Sequence, residues 1–262
     1  MANQVELADS HAHLDMEEFE QDRDEVLKRA WESGVRAILC CAEMAATASL
    51  AKVLDLTRRY FWVEAAAGIH PHQAKEFAAS HADEIQGLSR ARQIRAVGEI
   101  GLDYHYHFSP PEKQRDVFRT QLRLAQELAL PVIVHSRNSG RDVIAAVEEE
   151  RFTRGGVLHC FTEDWETAER MMDRNFYISF SGILTYPSAQ NLREIATKIP
   201  LEKLLVETDS PYLVPAARRE KDKRNEPAFV VETVEVLASL RNVRQEEMAR
   251  ITLENFRRLF SV

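Results

Sequence analysis

The sequence predicts an α/β fold, a single (β/α)8 TIM barrel spanning residues 1–262, on three observations. Short apolar runs alternate with longer amphipathic stretches, the pattern of βα units feeding a parallel sheet. The length of 262 residues matches the roughly 250 that one such barrel needs. Single histidines and carboxylates stand at the ends of apolar runs along nearly the whole chain. Such residues converge only if the strands bearing them lie side by side and point the same way.

In chain order the eight predicted strands are Val5 to Ala8, Ala37 to Cys41, Val63 to Ile69, Ala96 to Glu99, Val132 to His135, Gly156 to His159, Tyr177 to Phe180 and Leu204 to Val206. Between them, helical periodicity is clearest from Glu112 to Leu128, where Val117, Leu122, Leu124, Ala125 and Leu128 approximate one face. Pro110 and Pro111 precede this stretch and Pro131 follows it, as start and stop signals should. Val230 to Leu240 and Gln245 to Leu259 read as two further helices closing the chain. No low-complexity segment or linker divides the sequence, so a single domain is expected.

With 45% hydrophobic and 29% charged residues, the chain has a globular composition and can bury a substantial core. The net charge of -8 gives no global attraction for phosphate backbones, which weighs against a protein that coats nucleic acid. An enzyme acting on nucleic acid stays possible, because divalent ions are concentrated local positive charge. Three cysteines, Cys40, Cys41 and Cys160, form no CxxC pair and suit a reducing compartment. The start Met1-Ala2-Asn3-Gln4-Val5-Glu6 has neither a basic nor a long apolar leader region, and no apolar run approaches a membrane span. These features predict a cytoplasmic protein with no membrane contact, and nothing in them points to an obligate protein partner.

In a strand, residues i and i+2 share a face, so His11 and His13 are predicted to present both imidazoles inward. Glu99 closes an apolar run, and a carboxylate buried there needs a cation or strong donors. Having two oxygens, it could bridge two ions; the alternative is an ion pair to an arginine such as Arg137. His135 and His159 each end a Val/Leu-rich run and supply the neutral nitrogens that borderline metals prefer. Glu207 and Asp209, also at i and i+2, are expected on one face of the last strand. Asp209 is assigned a double role, holding a metal and taking the proton from water, with Glu207 behind it. Arg137 either meets phosphate or holds Glu99 in place. Asp103 is read as fixing a loop, His105 and His107 as exposed loop residues, and His72 carries no functional reading. The charged run Arg218-Arg219-Glu220-Lys221-Asp222-Lys223-Arg224 is either a solvated loop or a local grip on a phosphate chain.

The runs Asp9-Ser10-His11-Ala12-His13-Leu14-Asp15, Gly98-Glu99-Ile100-Gly101-Leu102-Asp103, Pro131-Val132-Ile133-Val134-His135-Ser136-Arg137, Leu158-His159-Cys160-Phe161 and Glu207-Thr208-Asp209-Ser210-Pro211-Tyr212-Leu213 resemble the TatD-type metal-dependent deoxyribonucleases. Gly68-Ile69-His70-Pro71-His72 and Arg224-Asn225-Glu226-Pro227 match as well. The resemblance implies two divalent ions, one held by His11, His13, Glu99 and Asp209 and the other by Glu99, His135 and His159, with His70 beside the substrate phosphate. It implies DNA as substrate, hydrolysed through a metal-activated water, with 3′ to 5′ exonuclease action. Zn, Mn and Fe suit the histidines, and Mg suits an oxygen shell, so the ion is one of these four. The sequence departs from the family pattern at Ala12, where cysteine is frequent, and at Asn138, where aspartate is frequent. The alternative is an amidohydrolase-like enzyme opening a small cyclic amide or ester, which the absence of an evident carboxylated lysine disfavours. A binding module with a structural metal is disfavoured too, since such sites favour closed cysteine-rich shells.

Overall fold

The computed structural model describes residues 5–262. The leader reading above falls partly on Met1 to Gln4, which lie outside the described residues. Among the described residues the strands are β1 (Leu7–Ala12), β2 (Val35–Glu43), β3 (Val63–Gly68), β4 (Ala96–Asp103), β5 (Val132–Arg137), β6 (Gly156–Leu158), β7 (Phe176–Phe180) and β8 (Leu204–Val206). The helices are α1 (Arg23–Glu32), α2 (Thr47–Arg59), α3 (Ala79–Arg90), α4 (Pro111–Leu128), α5 (Gly140–Glu149), α6 (Trp165–Met172), α7 (Gln190–Lys198), α8 (Val230–Arg241) and α9 (Gln245–Phe260). The strands form one sheet in sequence order, β1 to β8. Ala12 at the end of β1 also bridges Ser210, beyond β8. This is the (β/α)8 barrel class that the alternation predicts. No helix among the described residues is long and apolar enough to cross a membrane.

The chain divides into two compact units, one formed by its ends, up to Cys40 and from Ser179 to Val262, the other by Cys41–Ile178. In the first, all six residues of β1 are buried, as strands covered on both faces must be. Phe256 and Phe260, one turn apart on α9, are buried edge-to-face at 4.9 Å beneath it. Burying each such ring is worth about 2 to 3 kcal/mol. Polar residues inside β1 find partners in kind: the Ser10 hydroxyl meets that of Ser179 at 3.0 Å.

An arginine fork braces α1 in this unit. Arg29 Nε donates to Glu226 Oε1 at 2.9 Å and its Nη2 to Oε2 at 2.6 Å. Glu226 is only 7% exposed while Arg29 is 44% exposed, so water screens one end of the pair. Glu226→Ala is therefore expected to lower stability by about 1 to 2 kcal/mol, read from urea unfolding midpoints. A variant that unfolds at the wild-type midpoint would show the fork to be idle.

In the second unit β4 is buried along its full length and pairs in parallel with β3 and β5. Helix α4 covers it with Val117, Phe118, Leu122 and Ala125, all buried. It begins at Pro111 and ends at Ala129 in the left-handed region (φ 57), with Pro131 beyond, as predicted. Gly101 in β4 has φ +141, and a Cβ there would lie 2.0 Å from the His135 carbonyl oxygen. The backbones of β4 and β5 thus meet where the candidate site is built.

Candidate metal centre

In the second unit three imidazoles surround one carboxylate. Glu99 Oε1 lies 2.7 Å from His159 Nε2, 2.9 Å from His135 Nδ1 and 3.2 Å from His70 Nε2. His159 Nε2 and His135 Nδ1 are themselves 3.4 Å apart. Glu99 is buried, so its charge needs compensation at this point. An ion held at about 2.1 Å sets its ligand atoms about 3.0 to 3.4 Å apart. The triad of Glu99, His135 and His159 has spacings of this order, so its donor set fits a cation.

Hydrogen bonds assign different duties to the other histidines. The His72 backbone N–H donates to His70 Nδ1 at 3.1 Å, so that nitrogen is an acceptor and the His70 proton sits on Nε2, facing Glu99. Burial pushes the His70 imidazolium down to about 4, against the opposing pull of Glu99, so the ring is a neutral donor. On the far side of His135, Nε2 donates to Asp103 Oδ2 at 3.1 Å, leaving Nδ1 directed at Glu99. A carboxylate behind a ligating imidazole fixes its tautomer and orientation. Burial would raise the Asp103 carboxyl, but hydrogen bonds from His135, His72 and the Tyr106 backbone outweigh it and hold Asp103 well below the usual range. Its Oδ1 also accepts the backbone N–H groups of His105 and Tyr106, so Asp103 fixes the following loop as predicted.

In the first unit His11 Nε2 and His13 Nε2 stand 3.0 Å apart, with Asp209 Oδ1 3.7 and 3.5 Å from them. This second set of two nitrogens and one oxygen again has the spacing of metal ligands. The prediction of Glu207 and Asp209 on one strand face needs correction. Strand β8 stops at Val206, and Asp209 adopts φ 54, so regular i, i+2 alternation does not apply. Backbone bonds place Asp209 instead: its N–H donates to the His11 carbonyl at 3.0 Å, and His13 N–H donates to that of Ser210 at 2.8 Å. Asp9 ties the two segments together, its Oδ1 accepting the Thr208 N–H and its Oδ2 the Thr208 hydroxyl at 2.6 Å. Complete burial pushes the Asp9 carboxyl up to about 8 against those bonds. Asn225 Nδ2 donates to the Thr208 carbonyl at 2.8 Å, giving the Arg224-Asn225-Glu226-Pro227 run a structural purpose.

Arg137 does not pair with Glu99 among the described residues; its guanidinium lies 4.9 Å from the centre of the Tyr106 ring. The neighbouring Asn138 takes φ 55, a conformation asparagine tolerates well. The charged loop lines a cavity of about 460 Å³ with Arg29, Glu226 and Phe229. Arg218 pairs with Glu232 at 2.8 Å and Arg224 with Asp22 at 2.8 Å, while the Arg219 guanidinium lies 4.5 Å from the centre of the Tyr186 ring. Of the two readings of this run, a phosphate grip would fall to exposed Arg219, Lys221 and Lys223.

With this geometry in place, the comparisons with known proteins are decisive for kinship. The family model "TatD related DNase" matches residues 8–261. The chain belongs to that family. A Bacillus subtilis relative named uncharacterized metal-dependent hydrolase YabD is 39% identical, the match covering 98% of this chain and 99% of the relative. A Salmonella typhimurium relative named 3′-5′ ssDNA/RNA exonuclease TatD is 34% identical over 97% of this chain and 98% of its own. The crystal structure of the TatD homologue YJJV from Escherichia coli superposes with a TM-score of 0.91 at 32% identity, covering 98% and 99% of the two chains. For this TatD-family chain, the residues that sequence reasoning passed over are His72, and Asp103 as a partner of imidazoles. Both carried a signal. His70 and His72 repeat the His-x-His spacing of the first strand, and Asp103 stands four residues after Glu99, on the same face of a regular strand.

Proposed function

We propose that the chain is a divalent-metal-dependent hydrolase of nucleic-acid phosphodiesters, a deoxyribonuclease working as a 3′ to 5′ exonuclease. The observation that carries the reading is the presence, in each unit of a TatD-family chain, of an imidazole–carboxylate triad with the spacing of metal ligands. His11, His13 and Asp209 would hold one ion, and Glu99, His135 and His159 another, the ions being Zn, Mn, Mg or Fe. When bound, such ions polarise phosphoryl oxygens and lower the pKa of water toward about 7.

The side chains do the rest. The Asp209 carboxylate takes the proton of the attacking water. His70, its Nε2–H turned to Glu99, would stand beside the substrate phosphate, and Arg137 supplies a guanidinium for the phosphate chain. Asp103 keeps His135 turned with Nδ1 toward Glu99. The names of the relatives support the two halves of the reading, one as a metal-dependent hydrolase and one as a 3′-5′ ssDNA/RNA exonuclease. A cytoplasmic setting belongs to the proposal, in keeping with cysteines that form no disulfide among the described residues.

The test uses 5′-labelled single-stranded DNA incubated with protein loaded separately with each of the four ions. The expected result is a ladder of progressive shortening from the 3′ end that EDTA stops and that Asp209→Ala lacks. DNA left intact with every ion, together with opening of a cyclic amide such as dihydrouracil, would replace this reading with the amidohydrolase alternative.

A further inference from the structure

The loop after β4 carries aromatic surface that the fold does not use. Tyr106 is 41% exposed and Phe108 58% exposed, yet their rings stack at 5.4 Å with an interplanar angle of 26°. Exposed single apolar residues are ordinary, but an ordered, stacked pair in water forgoes most of the gain of burial. Several contacts hold it in place. The His72 ring packs edge-on against both, at 5.6 Å from Tyr106 and 4.8 Å from Phe108. The Arg137 guanidinium lies 4.9 Å from the Tyr106 ring centre. Asp103 Oδ1 accepts the Tyr106 N–H at 2.9 Å, while its Oδ2 lies 2.9 Å from His72 Nε2 and 3.1 Å from His135 Nε2. One carboxylate thus anchors both the loop that bears the rings and an imidazole of the candidate centre.

We propose that Phe108, backed by Tyr106, is a stacking platform for one base of a single-stranded nucleic acid, with Arg137 beside it to meet the adjoining phosphate. The inference deepens the nucleic-acid reading above and rests on it. Aromatic rings serve every base, because every base has a π face, so the platform holds a strand without reading its sequence. A cation beside the rings supplies the charge that a chain of net charge -8 otherwise withholds from phosphates. A base paired in a duplex keeps its faces covered by its neighbours, so the platform favours single strands. This also gives exposed His105 and His107 their setting, on either side of Tyr106 in a run where every side chain from Tyr104 to Phe108 is a ring.

Binding is measured in EDTA, so that cleavage plays no part, with fluorescein-labelled oligothymidylate and with an oligomer of equal length made of abasic residues. Phe108→Ala is expected to weaken oligothymidylate binding about 5- to 100-fold, the range for one base–aromatic stack, and to leave abasic binding within about twofold. Phe108→Trp should restore affinity, and its emission should be quenched by oligothymidylate beyond the wild-type response. Equal losses for both oligomers, an unquenched tryptophan, or no binding of either oligomer to the wild type would overturn the proposal. A protein that stacks thymidylate but cleaves nothing retains the platform and loses the nuclease reading. One that cleaves DNA with an indifferent Phe108 does the reverse.

Discussion

Replacing Glu99 by alanine is expected to reduce hydrolysis by more than about 100-fold and to lower bound divalent metal, with the fold retained. Changing a group that merely orients a ligand costs about 10- to 100-fold in metal affinity or activity, and removal of a ligand should exceed that. Glu99 Oε1 is the atom on which His70, His135 and His159 converge, so its loss leaves nitrogen donors without their shared anion. Glu99→Gln separates charge from shape. It keeps the volume and one oxygen, yet is expected to fall nearly as far, because a neutral amide is a poor ligand for a divalent ion. Metal content by mass spectrometry and initial rates, with circular dichroism melts to confirm folding, provide the check. A Glu99→Ala protein with wild-type metal content and a rate within a few-fold would remove Glu99 from the centre.

The largest stability effect is expected at Gly101, where alanine should cost about 3 to 5 kcal/mol or prevent folding. Two penalties add. The backbone has φ +141, which side chains rarely adopt, and the new Cβ would lie 2.0 Å from the His135 carbonyl oxygen and 2.9 Å from its carbon. Relief is possible only by parting β4 from β5, which pair there. Gly87 is the contrast: it lies in α3, where an added methyl would meet nothing within 4 Å, so Gly87→Ala should stabilise by about 0.5 to 1 kcal/mol. Urea unfolding of the two variants decides. Parallel behaviour would mean that close approach of the two strands is not what requires glycine at position 101.

All eight strands were legible as short apolar runs, and α4, α8 and α9 to within a residue or two, because burial in a parallel sheet leaves a continuous Val, Ile and Leu signature. Strand ends were not. Strand β1 runs on to Ala12 and β4 to Asp103, through polar residues that interrupt the apolar pattern and are nonetheless buried. What sustains them is distant in sequence: Thr208 for Asp9, Ser179 for Ser10, His72 and His135 for Asp103. Strand β8 spans Leu204 to Val206 as predicted, and the error lay beyond it: the acidic and hydroxyl residues after Val206 leave the strand and Asp209 turns left-handed, so Glu207 and Asp209 do not share a strand face as expected. The candidate ligands were readable because their chemistry contrasts with apolar surroundings. The residues that orient them were not, because a carboxylate behind an imidazole resembles any loop aspartate until its partner is known.

Whether the two triads hold divalent ions is decided by crystals grown with manganese and an anomalous difference map at the manganese edge. One peak is expected within about 2.5 Å of ligand atoms of His11, His13 and Asp209, and one within the same distance of Glu99, His135 and His159. Manganese bound elsewhere, with neither triad carrying a peak, would contradict that expectation.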